Sequence, residues 1–150
     1  MDNLTVRRAT TADVPAIVAM LADDVLGATR EDAADLAPYL AAFAVADADP
    51  HQHIVVAEQD GEVIGTLQLT VIHGLSLKAA TRAQVEGVRV RADQRGTGLG
   101  SYLMTWSEEK ARELGCALIQ LTSNNARTDA HRFYERLGYK GTHIGFKKEL

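Results

Sequence analysis

The chain has 150 residues, with 16 Lys and Arg against 20 Asp and Glu, for a formal net charge of −4. A hydrophobic fraction of 46% and a charged fraction of 24% describe a single soluble domain over residues 1–150, large enough to bury a core without disulfides or a structural metal. The acidic balance excludes a generic nucleic-acid binder. No apolar run approaches the ~18 to 20 residues of a membrane span, and Met1-Asp2-Asn3-Leu4 lacks the blocks of a signal peptide, so a cytoplasmic protein without membrane or nucleic-acid partners is expected.

Leu4, Val6 and Arg8 alternate with their neighbours as a short opening strand. Thr10-Thr11-Ala12-Asp13 has capping-box spacing, with Pro15 in the first turn of the helix that follows. Val14, Ile17, Val18 and Leu21 form its apolar stripe. A second, alanine-rich helix is predicted from about Glu31 to Val45, with Leu36, Leu40 and Phe43 on one face and Pro50 beyond its end.

Ile54–Ala57 and Val63–Leu69 read as strands, and Asp60-Gly61 between them is a hairpin turn signal. A further strand runs from Gln84 to Val90. The glycines of Gln94–Gly100 follow, then a helix to Leu114 with Leu99, Leu103 and Trp106 stacked and Gly115 as C-cap. Ala117–Leu121 is nearly all apolar, as in a strand buried on both faces. Ala130, Phe133, Tyr134 and Leu137 make the stripe of a last helix ending at Gly138, and Thr142–Leu150 is a candidate final strand. The expected fold is α/β, a mixed central sheet with helices on both faces in the order βααβββαβαβ.

The segment Arg95-Gly96-Thr97-Gly98-Leu99-Gly100 carries the most chemistry. It lies where a strand feeds a helix, whose first N–H groups have no intrahelical partner. Its glycines admit the positive φ of a tight nest and clear the approach of a phosphate, while Arg95 adds a full positive charge to the helix terminus. A dinucleotide fingerprint counted from Gly96 would need glycine where Ser101 stands, and no G-K-[ST] closes the loop as a P-loop requires. The pattern present is R-x-x-G-x-G; a plain glycine-rich turn opening a helix is the alternative reading.

At these residues the sequence resembles the GNAT superfamily of acyl-CoA-dependent N-acyltransferases. The glycine segment resembles that family's loop for the pyrophosphate of coenzyme A. Ala130-His131-Arg132-Phe133-Tyr134-Glu135-Arg136-Leu137-Gly138-Tyr139 resembles its A-x-x-F-Y-x-x-x-G-F block. The element order also matches, so the resemblance covers essentially the whole chain. It implies an N-acetyltransferase that moves an acetyl group from acetyl-CoA, as cosubstrate, to a small-molecule or peptide amine. Val88, Arg89, Val90, Arg95, Gly96, Thr97, Gly98, Leu99, Gly100 and Ser101 are its implied cofactor contacts. Arg127 stands where many relatives have asparagine seven residues before the tyrosine, and it is carried over only as a cofactor contact of different chemistry. A homodimer is an expectation by analogy with the family alone.

Acyl transfer needs an amine stripped of its proton, donors for the developing oxyanion and a proton for the departing thiolate. Glu86, on the strand before the loop, is the candidate general base, and burial beside apolar neighbours is expected to tune it. A solvated glutamate that merely orients the amine is the competing reading. Tyr134 is the candidate general acid by its match to the family tyrosine; a core aromatic is the alternative, given its spacing with Phe133 and Leu137. Gly87 is compatible with a bulge in that strand.

His73 and His131 are lesser candidates for the acceptor side, and loop or surface roles suit them as well. Asp23, Asp24, Glu31, Asp32 and Asp35 form an acidic cluster that either attracts a cationic amine or is a solvated face. His51-Gln52-His53 lacks neighbouring ligands, so no metal is predicted. Cys116, the only cysteine, supports no disulfide and reads as a buried core thiol. A direct attack without a covalent enzyme intermediate follows. The rival reading is a catalytically inactive acyl-CoA-binding sensor of the same fold, and the identity of the acceptor is not encoded in any motif.

Overall fold

The computed structural model of the chain describes residues 2–150. They divide into two units, the first running to Gln120 and the second covering Leu121–Leu150. Five strands make one mixed sheet in the order β1-β2-β3-β4-β5: β1 (Leu4–Arg8), β2 (Gln52–Gln59), β3 (Glu62–Ile72), β4 (Arg82–Val90) and β5 (Leu118–Leu121). The first three pairings are antiparallel. Asp60 and Gly61 both take positive φ, 52° and 82°, the turn that the right-handed twist of a hairpin selects between β2 and β3.

The helices are α1 (Val14–Ala22), α2 (Gly27–Arg30), α3 (Ala37–Ala48), α4 (Ser76–Ala79), α5 (Leu99–Glu113) and α6 (Thr128–Arg136). Asp13 accepts hydrogen bonds from the N–H (2.7 Å) and hydroxyl (3.2 Å) of Thr10 and pairs with Arg7 through both oxygens, 2.8 and 3.0 Å, so the capping signal also ties β1 to the start of α1. Val14 and Val18 bury the α1 stripe against Phe43 of α3 and Val56 of β2. On the opposite face of the sheet lies α5. Gly65 permits that approach: a Cβ there would stand 3.0 Å from Leu103 Cδ1. The buried stripe of α5 is Leu99, Leu103, Met104, Ser107 and Ala111, with Trp106 only half-buried.

Three expectations are corrected. The second major helix starts at Ala37, not Glu31, because the Asp32 and Asp35 carboxylates accept the N–H groups of Ala34 and Ala37 and hold the intervening chain in turns. β5 is half-buried throughout, because it ends the sheet and has a neighbour on one side only. Residues 142–150 are exposed and form no strand, so Ile144 and Phe146 lie open, at 77% and 91% exposure.

Candidate functional site

Glu86 and its surroundings follow from the register of β3 and β4. Gln68 faces Glu86 and Thr66 faces Arg89, so two residues of β4, Gly87 and Val88, stand against Leu67 alone. This is a β-bulge, and Gly87 occupies it with φ +60°, the left-handed conformation that favours glycine. A Cβ at Gly87 would meet only Leu21 Cδ2, at 3.7 Å, so conformation and not crowding selects glycine. The bulge breaks the ladder beside Glu86. Glu86 itself is exposed, which corrects the expected burial: Gln68 faces it across the ladder and Gln84 lies beside it on the same strand face, so its nearest neighbours there are polar. Gln84 Nε2 donates to Glu86 Oε1 at 2.6 Å.

Beyond β4 the chain turns through Ala92–Gln94 into the glycine loop. Gly96 and Gly98 have φ of 78° and 88°, and Gly98 is the N-cap of α5. Residues 95–98 are exposed, whereas Leu99 is buried and anchors the helix start. The N–H groups of Leu99, Gly100 and Ser101 open α5, where no preceding turn supplies carbonyls. A positive-φ cradle at an exposed helix N-terminus fits a pyrophosphate. Thr97 contributes its hydroxyl inward, to the carbonyl of Gln94 at 2.7 Å.

The charged candidates are already partnered. Arg95 Nη2 donates to the carbonyl (3.1 Å) and carboxylate (3.3 Å) of Asp23. Arg89 donates to the Val88 carbonyl at 2.9 Å and pairs with Asp24, so its side chain serves the α1–α2 connection and only its backbone lines β4. Glu31 receives the Tyr39 hydroxyl at 3.3 Å, and Asp32 and Asp35 hold turns. Much of the acidic cluster is thus structural.

His73 Nδ1 lies 3.2 Å from Thr81 Oγ1, and its ring meets that of His51 edge-on at 5.0 Å. The four-residue α4 between β3 and β4 is not a right-handed helix: Leu77, Lys78 and Ala79 take φ of 55°, 59° and 61°, a left-handed turn that costs each residue roughly 1–2 kcal/mol. Cys116 is half-buried, not fully buried as expected, and burial raises its pKa above the ordinary 9.0, away from thiolate chemistry. Among the described residues no group of three His, Cys, Asp or Glu gathers for a metal, and no helix is long and apolar enough to cross a membrane.

In the second unit, Tyr134 is half-buried on α6, with ring centroids 5.1 Å from Phe133 and 6.0 Å from Tyr139. Arg127 is the N-cap of this helix, and its N–H donates to the Asn124 carbonyl at 2.9 Å. His131 Nε2 lies 2.8 Å from the same carbonyl, a local role.

Residues 18–139 match the acetyltransferase (GNAT) family. The chain belongs to the GNAT family. Both GNAT signatures, the loop at 95–100 and the helix block at 130–139, fall inside the matched span. The chain is 35% identical over 144 residues to the aminoalkylphosphonate N-acetyltransferase of Salmonella typhimurium, covering 96% of this chain and 90% of that one. Its fold matches the crystal structure of a transcriptional regulator from Bacillus halodurans C-125 with TM-score 0.94 and 43% identity, over 98% and 99% of the two chains. A putative acetyltransferase from Agrobacterium tumefaciens matches with TM-score 0.86 and 25% identity, over 97% and 99%. The GNAT chain is thus an N-acetyltransferase by family and by its curated relative.

The residues that sequence reading missed are Gln84 and Gln120, the polar neighbours of the GNAT candidate base. A signal existed: Arg82, Gln84 and Glu86 alternate as polar residues through β4, the mark of a strand face without an apolar cover.

Proposed function

We propose that the protein transfers the acetyl group of acetyl-CoA to the primary amine of a small aminoalkylphosphonate. The observation that carries the reading is the bulge at Gly87, beside the exposed Glu86 carboxylate and followed by the glycine cradle that opens α5. The acceptor class rests on the 35% identity to the Salmonella aminoalkylphosphonate N-acetyltransferase.

In this reading the coenzyme pyrophosphate sits on the loop from Arg95 to Ser101, and the backbone at Val88 and Val90 meets the thioester carbonyl and pantetheine. Glu86 takes a proton from the acceptor ammonium, directly or through water. The freed nitrogen attacks the thioester carbon, the C–N bond forms and the C–S bond breaks, and the nitrogen releases its second proton to solvent, from which Tyr134 is reprotonated after it serves the thiolate. The Tyr134 hydroxyl protonates the leaving coenzyme A thiolate. Family correspondence is the support for Tyr134; Arg127 departs from the family's asparagine at its position, and only the reach of a guanidinium toward a phosphate supports it as a cofactor contact.

Free-thiol release on an amine panel tests this, with 2-aminoethylphosphonate, polyamines, amino acids and peptides as acceptors. Turnover is expected with the aminophosphonate, and Glu86→Gln lowers kcat by about 10²-fold, the scale of a lost general base. Full activity of Glu86→Gln removes the base assignment, and activity confined to other amines removes the acceptor class. The Bacillus halodurans chain described as a transcriptional regulator favours a second reading, an acyl-CoA-binding sensor, marked by coenzyme A binding with no turnover on the whole panel.

A further inference from the structure

Arg82, Gln84 and Glu86 share one face of β4, and Gln120 stands beside them on β5. Arg82 Nη1 donates to Gln120 Oε1 at 3.1 Å, Gln120 Nε2 donates to Gln84 Oε1 at 2.9 Å, and Gln84 Nε2 donates to Glu86 Oε1 at 2.6 Å. Three bonds thus run in one direction from a guanidinium to a carboxylate. We propose that Arg82, Gln120 and Gln84 are positioning residues for the acetyl-transfer reaction, a hydrogen-bond chain that aims the Glu86 carboxylate at the acceptor amine. The proposal rests on the assignment of Glu86 as general base.

The direction of the chain is set by its ends. A guanidinium only donates, so Gln120 must present its carbonyl to Arg82 and its amino group to Gln84. Gln84 must then offer its carbonyl to Gln120 and its amino group onward. An ionised carboxylate only accepts, and Glu86 completes the series with no amide reversed. Each bond polarises the next, and the two terminal charges are opposite.

The burial pattern agrees. Arg82, Gln84 and Gln120 are half-buried whereas Glu86 is exposed, so the chain starts in the sheet and ends where an acceptor can reach. An exposed glutamate on its own samples several rotamers, and ordering it costs side-chain entropy. The chain meets that cost in advance: Oε1 is held by Gln84, and Oε2 receives the amine proton. Its effect therefore falls on the chemical step and not on the coenzyme, which the glycine loop holds.

The test is Gln120→Met, which keeps side-chain length but can neither accept from Arg82 nor donate to Gln84. With acetyl-CoA and the best acceptor of the amine panel, kcat is expected to fall about tenfold, a fraction of the ~10²–10⁴ attributable to general acid–base catalysis, with KM for acetyl-CoA within about twofold. In the Glu86→Gln background the same substitution is expected to cost nothing further, since the residue to be aimed is gone. Arg82→Lys, which keeps a cationic donor, should retain more kcat than Arg82→Met. Gln84→Met serves as the second variant should Gln120→Met fail to fold. Equal losses in both backgrounds, or wild-type kcat in Gln120→Met and Gln84→Met while Glu86→Gln is impaired, overturn the chain and leave the base. Full activity of Glu86→Gln overturns both.

Discussion

Arg89 Nη2 lies 3.3 Å from Asp24 Oδ2, joining β4 just past its bulge to the α1–α2 connection. The other oxygen of Asp24 accepts the N–H of Gly27, the first residue of α2. One carboxylate therefore fixes a helix start and the strand segment that the acyl group is proposed to line. Replacing it with Asp24→Ala leaves Arg89 and the Gly27 N–H without that partner. The expected loss is about 1–3 kcal/mol, seen as a lower midpoint in urea unfolding. Arg89→Met should cost less in the Asp24→Ala background than in wild type, the signature of a shared interaction in a double-mutant cycle.

Asp13 gives the fold a pH dependence. The Arg7 guanidinium, 2.8 Å away, is the main cause holding its carboxyl below the ordinary 3.8. A group with a depressed folded pKa stabilises the fold above its unfolded value, and that contribution fades as pH falls through the folded value. Asp13→Asn should therefore be less stable than wild type at pH 7. The difference should shrink progressively once pH drops below the ordinary 3.8, in chemical unfolding across that range.

Gly27 and Gly96 should respond differently to alanine. A Cβ at Gly27 would stand 1.9 Å from the Leu21 carbonyl oxygen, so Gly27→Ala must push α1 and α2 apart and cost about 3 kcal/mol. At Gly96 a Cβ meets nothing within 4 Å, and only the φ of +78° resists it, at roughly 1–2 kcal/mol. Thermal melts should rank the variants in that order. Gly96→Ala should also raise KM for acetyl-CoA, which Gly27→Ala should do only through loss of folded protein.

Tyr134→Phe separates the aromatic from the hydroxyl. The ring meets Phe133 and Tyr139, and phenylalanine keeps both contacts. In Tyr134→Phe kcat should fall about 10²-fold if the hydroxyl protonates the thiolate, with the ring contacts kept. Unchanged kcat would leave Tyr134 as a packing residue.

The glycine loop was legible because its backbone demands are local: Gly96 and Gly98 take positive φ within the turn itself, and so do Asp60 and Gly61 in the hairpin. The start of α3 was not, since nothing in an alanine-rich run discloses that Asp32 and Asp35 will spend their side chains on turns. The pairing of Arg95 with Asp23 spans 72 residues and was equally hidden.

Periodicity and turn chemistry by themselves determined the five strands, the longer helices through α6 and the positive-φ glycine turn, because each depends on residues within a few positions of one another, while the family came from the resemblance of two motifs. Only the tertiary structure decided that Glu86 is exposed, that Gly87 and Val88 bulge against Leu67, and that Arg82, Gln120 and Gln84 line up behind the carboxylate. Those facts depend on the register of β3 against β4 and on the placement of β5. Register is set by side chains meeting across strands, and a sequence read along one strand does not contain it.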